Sequence, residues 1–316
     1  MGSWMEMIKA IIKNCGKILL LLFLVTFIPF FLLTYLSNDP AEVALRVQTI
    51  TPTEQNVRQM RSELGLDQPF FVRYVEWIRH ALKGDLGKSY ATGKNIMGMI
   101  SEALPYTLFL AIVTLIIVFA TCLVLGILAA NYQNHWTEKT LRMITFILDA
   151  IPSFWLGLLL IFLFSIKLNW FPTGGAVGLV SVFLPALTLS LAYSSSYIRL
   201  IRNDLLQNKQ LPYVDYYFTR GFSKRAITKH LLKNSLRSSI VSIGVSIPRL
   251  IAGSVIIESV FAWPGMGLLC IIAIRNRDLP VLQAYIVIMS LFFISSSLLI
   301  DLLIKRIDPR LRERGR

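Results

Sequence analysis

Six apolar runs constrain this chain before anything else: 18–36, 106–130, 143–166, 179–197, 239–261 and 279–304. Each approaches the ~20 residues that an α-helix needs to cross ~30 Å of hydrocarbon. Inside lipid the backbone must satisfy its own hydrogen bonds, so runs of this length are helices. Only 16% of the chain is charged, against about 25% in a soluble domain. The pattern predicts an all-α, polytopic membrane protein with six transmembrane helices.

The net charge of +14 would suit a nucleic-acid binder if it were clustered in a soluble region. Instead, segment 37–104 is neutral, with eight Lys/Arg against eight Asp/Glu. The excess flanks the runs, at Lys9, Lys13 and Lys17, at Lys139 and Arg142, within 199–237, and in the tail from Lys305 to Arg316. That is the distribution of the positive-inside rule, and it argues against a nucleic-acid partner. Alternating these flanks places both termini in the cytoplasm and 37–104 outside. The first run reads as a retained anchor, since it is long for a signal peptide and lacks a small-residue cleavage site before Asn38.

Segment 37–104 is more than a linker. It holds Phe70, Phe71, Tyr74 and Trp77, and a helix-compatible stretch over 53–64 follows the capping signature Thr51-Pro52-Thr53-Glu54. The expected organisation is an anchor over 1–36, a small helical cap over 37–104, a five-helix core over 105–304 that contains a polar loop at 201–238, and a basic tail over 305–316.

No catalytic or metal-binding set stands out. Cys15, Cys122 and Cys270 are scattered, and His80, His135 and His230 are isolated. Gly84-Asp85-Leu86-Gly87-Lys88-Ser89 resembles the end of a phosphate-binding loop, but Leu82 stands where its first glycine is required. No strand is expected before it, and its side of the membrane is wrong for ATP. A nucleotide that drives this chain would bind a partner.

Charges inside the runs are costly and point to function or pairing. Arg249 and Glu258 are nine residues apart, which sets them on opposite faces of one helix. One could face a translocation path and the other a neighbouring subunit. Asp149 precedes Ile151-Pro152 and could bond backbone freed by the proline. The serines of the fourth and sixth runs suit close helix approach. Phe261-Ala262-Trp263-Pro264-Gly265-Met266-Gly267 should break the fifth helix near the outer face, with Trp263 at the membrane interface. Trp263, Pro264 and Gly265 are candidates for a gate.

Segment 211–239, between the fourth and fifth runs, carries Arg220, Lys224, Arg225, Lys229, Lys233 and Arg237 against the single acid Asp215. Pro212 suits the first turn of a short helix, and Gly221 can turn the chain after it. A basic amphipathic helix lying on anionic lipid would also fit this composition.

Tyr213-Val214-Asp215, Arg220-Gly221-Phe222-Ser223, His230 and Lys233-Asn234-Ser235-Leu236-Arg237 resemble the "EAA" loop of ABC-importer permeases. The closest likeness is to the dipeptide, oligopeptide and nickel permease family. Further family-like pieces run in order along the chain: Asn38-Asp39-Pro40-Ala41, Leu64-Gly65-Leu66-Asp67-Gln68-Pro69, Gly84 to Tyr90, Leu104-Pro105-Tyr106-Thr107-Leu108, Ile151-Pro152-Ser153-Phe154-Trp155, Phe261 to Gly267, Arg277 to Gln283 and Asp308 to Arg312. The chain departs from the pattern at Pro212, at Tyr216-Tyr217-Phe218 and at Ser235.

The resemblance implies a type I ABC-importer permease fold, with Tyr213, Val214, Asp215, Arg220, Gly221 and Phe222 in a coupling loop seated on an ATPase. It implies a second, related permease, two cytoplasmic ATPases that bind ATP and Mg²⁺, and an extracellular solute-binding protein. The chain itself would hold no cofactor and catalyse no reaction. The solute would be a peptide, nickel or a metal chelate. The rival reading is a self-contained secondary transporter or channel, which calls for internal repeats that these runs do not display.

Overall fold

The computed structural model describes residues 16, 20–32, 34–35, 39–47 and 49–307. The basic tail beyond 307 and most of the charged N-terminus therefore lie outside the described residues. Among those described, every regular element is helical, and extended pairing is limited to one isolated bridge between Lys88 and Asn95. The chain divides into two compact units, one of 1–104 with 269–294 and one of 105–268 with 295–316.

In the first unit, α1 (Leu20–Leu32) is a short apolar helix, followed by α2 (Pro40–Val47), α3 (Glu54–Glu63) and α4 (Phe70–Leu82). The aromatic side chains singled out in the cap form one cluster. Phe27 and Phe30 of α1 meet Phe70 and Tyr74 of α4 at ring-centroid distances of 5.3–5.7 Å, mostly edge to face. The Tyr74 hydroxyl is satisfied by Thr26 Oγ1 at 2.8 Å. Thr53 caps α3 by accepting from Asn56 N at 3.3 Å, two residues after Thr51, where the capping signature places the cap. Arg61 then ties α3 to Asp39, just before α2, at 2.8 Å.

Asp278 fixes a second part of this unit. It is 3% exposed and accepts from Ser89 Oγ, from Tyr90 N at 3.1 Å and from Ala91 N at 3.4 Å. The sequence that mimics a phosphate loop is thus a carboxylate-pinned turn. Burial pushes the Tyr90 hydroxyl pKa up, an effect opposed by Arg73 and reinforced by Asp278. Replacing Asp278 with alanine leaves two backbone N–H groups without their acceptor. Local opening should become about 2 kcal/mol easier. Amide exchange at Tyr90 and Ala91 should then quicken by at least about tenfold, which hydrogen-exchange mass spectrometry can read.

The second unit is built on α5 (Ile96–Asn131, from Pro105 on), α6 (Trp136–Ala150), α7 (Ser153–Leu160, continued by a π-helical turn to Lys167) and α8 (Phe183–Lys209). Completing it are α9 (Pro212–Thr219), α10 (Lys224–Val245) and α11 (Ile247–Val260). Two further helices belong to both units, α12 (Met266–Arg275) and α13 (Leu279–Ile307). One buried cluster joins Leu110, Leu184, Leu189, Ile257 and Phe261, and another joins Val118, Cys122, Ile198, Ile201 and Leu205. Ser190, Ser194 and Ser195 of α8 are all buried, and Ser194 Oγ lies 3.1 Å from Thr121 Oγ1 of α5. These serines do the helix-packing work expected of small polar residues.

Among the described residues, three helices are long and apolar enough to cross a membrane, Ile96–Asn131, Leu179–Lys209 and Leu279–Ile300, and the count reaches five if each of two bent pairs is one span. The expected straight span over 143–166 is a pair, α6 and α7 with its π turn, bent by 105°. Pro152 lacks an N–H and forces Ile151 out of the helical region, to ψ 125°. The fifth run is likewise divided, by a 50° bend at Ser246 between α10 and α11. The basic half of the polar loop and the start of that run are one continuous helix, α10.

Candidate functional site

The polar loop folds as α9, a tight turn and the start of α10. Pro212 is in the first turn of α9, where its missing N–H costs nothing. The helix ends in a Schellman turn: Phe222 N donates to Tyr217 O and Gly221 N to Phe218 O, both at 3.1 Å, with Gly221 at φ +75°. The hydrophobic contact that accompanies such a turn is present, with the Tyr217 and Phe222 rings 5.0 Å apart. Ser223 then caps α10 by accepting from Ala226 N.

This geometry sorts the side chains of α9 by face. Val214 is 3% exposed, and Tyr217 packs its ring 5.3 Å from His230 of α10. Tyr216, Phe218 and Phe222 are about half exposed, and Asp215, Arg220 and Gly221 are exposed as well. Arg220 holds its guanidinium 5.2 Å from the centroid of the Tyr216 ring. The Tyr213 hydroxyl is buried with no hydrogen-bond partner among the described residues. A short helix fastened through Val214 and Tyr217 thus presents Tyr216, Phe218, Asp215 and Arg220 as aromatic and charged surface.

The residues proposed for a path or gate divide into two environments. Glu258 is fully buried. Its carboxylate accepts from Thr107 Oγ1 at 2.8 Å, Ser254 Oγ at 3.0 Å, Gly267 N at 2.7 Å and Leu268 N at 3.3 Å. Two of those donors are N–H groups in the first turn of α12, which a carboxylate stabilises. Gly265 lies against the same group. A Cβ there would collide with Glu258 Oε2 and would approach Thr107 Oγ1 to 2.5 Å. Trp263, expected at a membrane interface, is instead 2% exposed, with Nε1 donating to Tyr106 O at 3.0 Å. Its N–H finds a buried carbonyl, so the ring needs no wet surface. Pro264 sits in the short loop between α11 and α12. Arg249 lies on the other face of α11 and is exposed.

Asp149 does not serve backbone freed by Pro152. It pairs with Arg199 at 2.7 Å and accepts from Ser195 Oγ. Nearby, Glu138 is 2% exposed and binds Arg142 and Arg202, each at 2.6 Å, and Asn134 N at 2.7 Å. Of these partners, the Arg142 spacing is visible in sequence, whereas Arg202 comes from α8. Among the described residues, no group of three or more His, Cys, Asp or Glu is arranged to hold a metal ion.

The chain matches the family described as "Binding-protein-dependent transport system inner membrane component" over residues 122–313, and that family's N-terminal region over 7–111. It is 34% identical over 312 residues to a metal-staphylopine import system permease protein of Staphylococcus aureus, covering 98% of this chain and 100% of the relative. It is 32% identical to a glutathione transport system permease protein of Escherichia coli, covering 97% of this chain and 99% of the relative. A nickel import system permease protein of Staphylococcus aureus is 30% identical, with 98% and 93% covered. Among solved structures, the MetNI methionine ABC transporter in inward-facing form superposes at a TM-score of 0.57 and 16% identity, over 67% of this chain and 97% of that one. The chain therefore belongs to the family of inner-membrane components of binding-protein-dependent transport systems, the multi-pass permease subunits of ABC importers.

Proposed function

We propose that this chain is one of two permease subunits of an importer that carries peptides, nickel or metal chelates, and that α9 is the segment through which it is driven. The supporting observation is the α9 surface. Tyr216 and Phe218 of α9 and Phe222 of the following turn are about half exposed, while Tyr217 between them packs on His230 of α10, and aromatic side chains of this kind anchor protein interfaces. ATP and Mg²⁺ bind on two ATPase partners, which close on hydrolysis-competent nucleotide and carry α9 with them. The second permease completes the pore, and both termini face the cytoplasm. A solute-binding protein delivers solute from outside. Each ligand acts by preferring one of the two access states. The range of solutes follows from the relatives, which are named for metal-staphylopine, glutathione and nickel transport.

Replacing Tyr216 and Phe218 together with alanine tests this reading. Both are exposed, so thermal stability should change little. Losing two aromatic anchors should cost about 2–4 kcal/mol of ATPase binding. ATPase retained on purification and ATP-driven uptake should fall at least about tenfold. Unchanged retention and uptake would remove α9 from the interface.

A further inference from the structure

Val245, Arg249, Ala252 and Ile256 make one exposed stripe along α10 and α11, with Val245 57% and Ile256 52% exposed. Arg249, Ala252 and Ile256 share one face of α11, and Val245 precedes them across the bend at Ser246. The other face of α11 buries Pro248, Leu250, Ile251, Ser254, Ile257 and Glu258. Three members of the stripe are apolar and would be content in lipid. The guanidinium of Arg249 would not.

None of the described residues forms an ion pair with Arg249, whose carbonyl accepts from the Tyr193 hydroxyl at 3.0 Å and whose charge is felt by that phenol. Glu258, the acid nearest in sequence, is turned to the opposite face and already receives four donors. The charge also sits in the first turn of α11, which has no acidic residue. The positive end of the helix dipole disfavours a cation there. What remains to neutralise it is an acid of the second permease or a solute that enters the span.

We propose that Arg249 lines the solute path and that the solute drawn past it carries a carboxylate or comparable anionic group. The inference rests on the importer reading above and narrows its substrate class. A planar guanidinium offers paired donors that match a carboxylate. Peptides with a free C-terminus and carboxylate-bearing metal chelates share that group. Neutral and cationic solutes lack the contact.

The test uses the assembled importer and needs no knowledge of the solute. Ala252, one turn from Arg249 on the same stripe, is replaced by cysteine after Cys15, Cys122 and Cys270 are replaced by serine. Its modification rates are measured with an anionic sulfonatoethyl and a cationic trimethylammonioethyl methanethiosulfonate. A unit charge one helical turn away changes the local concentration of each reagent about threefold in water-like surroundings, in opposite directions. The anionic-to-cationic rate ratio, relative to a free thiol, should therefore be about tenfold in favour of the anion. Arg249→Gln should abolish that preference and Arg249→Lys should keep it. A cysteine inert to both reagents would place the stripe against lipid or the second permease and overturn the proposal. So would a ratio that Arg249→Gln leaves unchanged. ATPase retention and ATP-driven uptake in the same membranes report separately on the importer reading. Their loss in the parent protein sinks that reading, whatever the charge ratio.

Discussion

Replacing Gly221 with valine should leave a protein that inserts into the membrane but imports nothing. The added Cβ meets no atom within 4 Å, so the effect is not a clash. It comes from φ +75°, a region where a β-branched residue is strained by about 1–2 kcal/mol. That is too little to unfold a chain with this much buried surface. It is enough to break a turn held by two 3.1 Å hydrogen bonds, from Phe222 to Tyr217 and from Gly221 to Phe218. Once the turn opens, Tyr217 loses its place between Phe222 and His230, and the exposed ring of Tyr216 loses the orientation that the proposed coupling needs. ATP-driven uptake and ATPase retention should both fall at least about tenfold, while the amount of membrane-inserted chain stays level. Asparagine tolerates positive φ, so Gly221→Asn should keep most of the activity. This pair separates a backbone requirement from a requirement for any small residue. Normal transport by the valine variant would show that the orientation of α9 does not matter.

The legibility of α9 contrasts with the sites that the sequence hides. Pro212 and Gly221 act locally, one through its missing N–H and the other through its φ, so both ends of a short helix are visible in a few residues. Thr53 marks the start of α3 for the same reason. The spans are legible where lipid sets the pattern. That pattern fails at Ile151-Pro152, where a local steric rule overrides a continuous apolar run. Trp263 escapes a local reading because its hydrogen-bond acceptor, Tyr106 O, lies 157 residues away. Asp278 and its turn at 89–91 are separated even further. Family-like pieces flag each of these segments as notable. Their roles need the pairing, which no single segment contains. Tyr106-Thr107 belongs to one such piece and Trp263, Gly265 and Gly267 to another, and the structure joins both around Glu258.

That junction gives the largest expected loss of stability. Removing the Glu258 carboxylate in Glu258→Ala leaves two hydroxyls and two backbone N–H groups around a cavity in the unit's interior. Each such group costs about 1–3 kcal/mol when it is buried and unpaired. Thr107 is held from a second side, since its Oγ1 accepts from Met266 N at 2.8 Å, so it cannot simply turn away. With partial relaxation the total should be about 4 kcal/mol, or a Tm about 10 °C lower in a purified complex. Glutamine separates two roles for the residue. Its carbonyl oxygen can accept from Gly267 N and Leu268 N, while its amide nitrogen donates to the Thr107 and Ser254 hydroxyls, which act equally well as acceptors. Glu258→Gln should therefore cost only about 1 kcal/mol and leave transport close to normal. A glutamine variant as damaged as the alanine variant would mean that the negative charge itself is needed, and that Glu258 does more than fasten α11 to the start of α12. A near-normal glutamine variant would confine Glu258 to fastening α11, the helix that carries Arg249, to the first turn of α12.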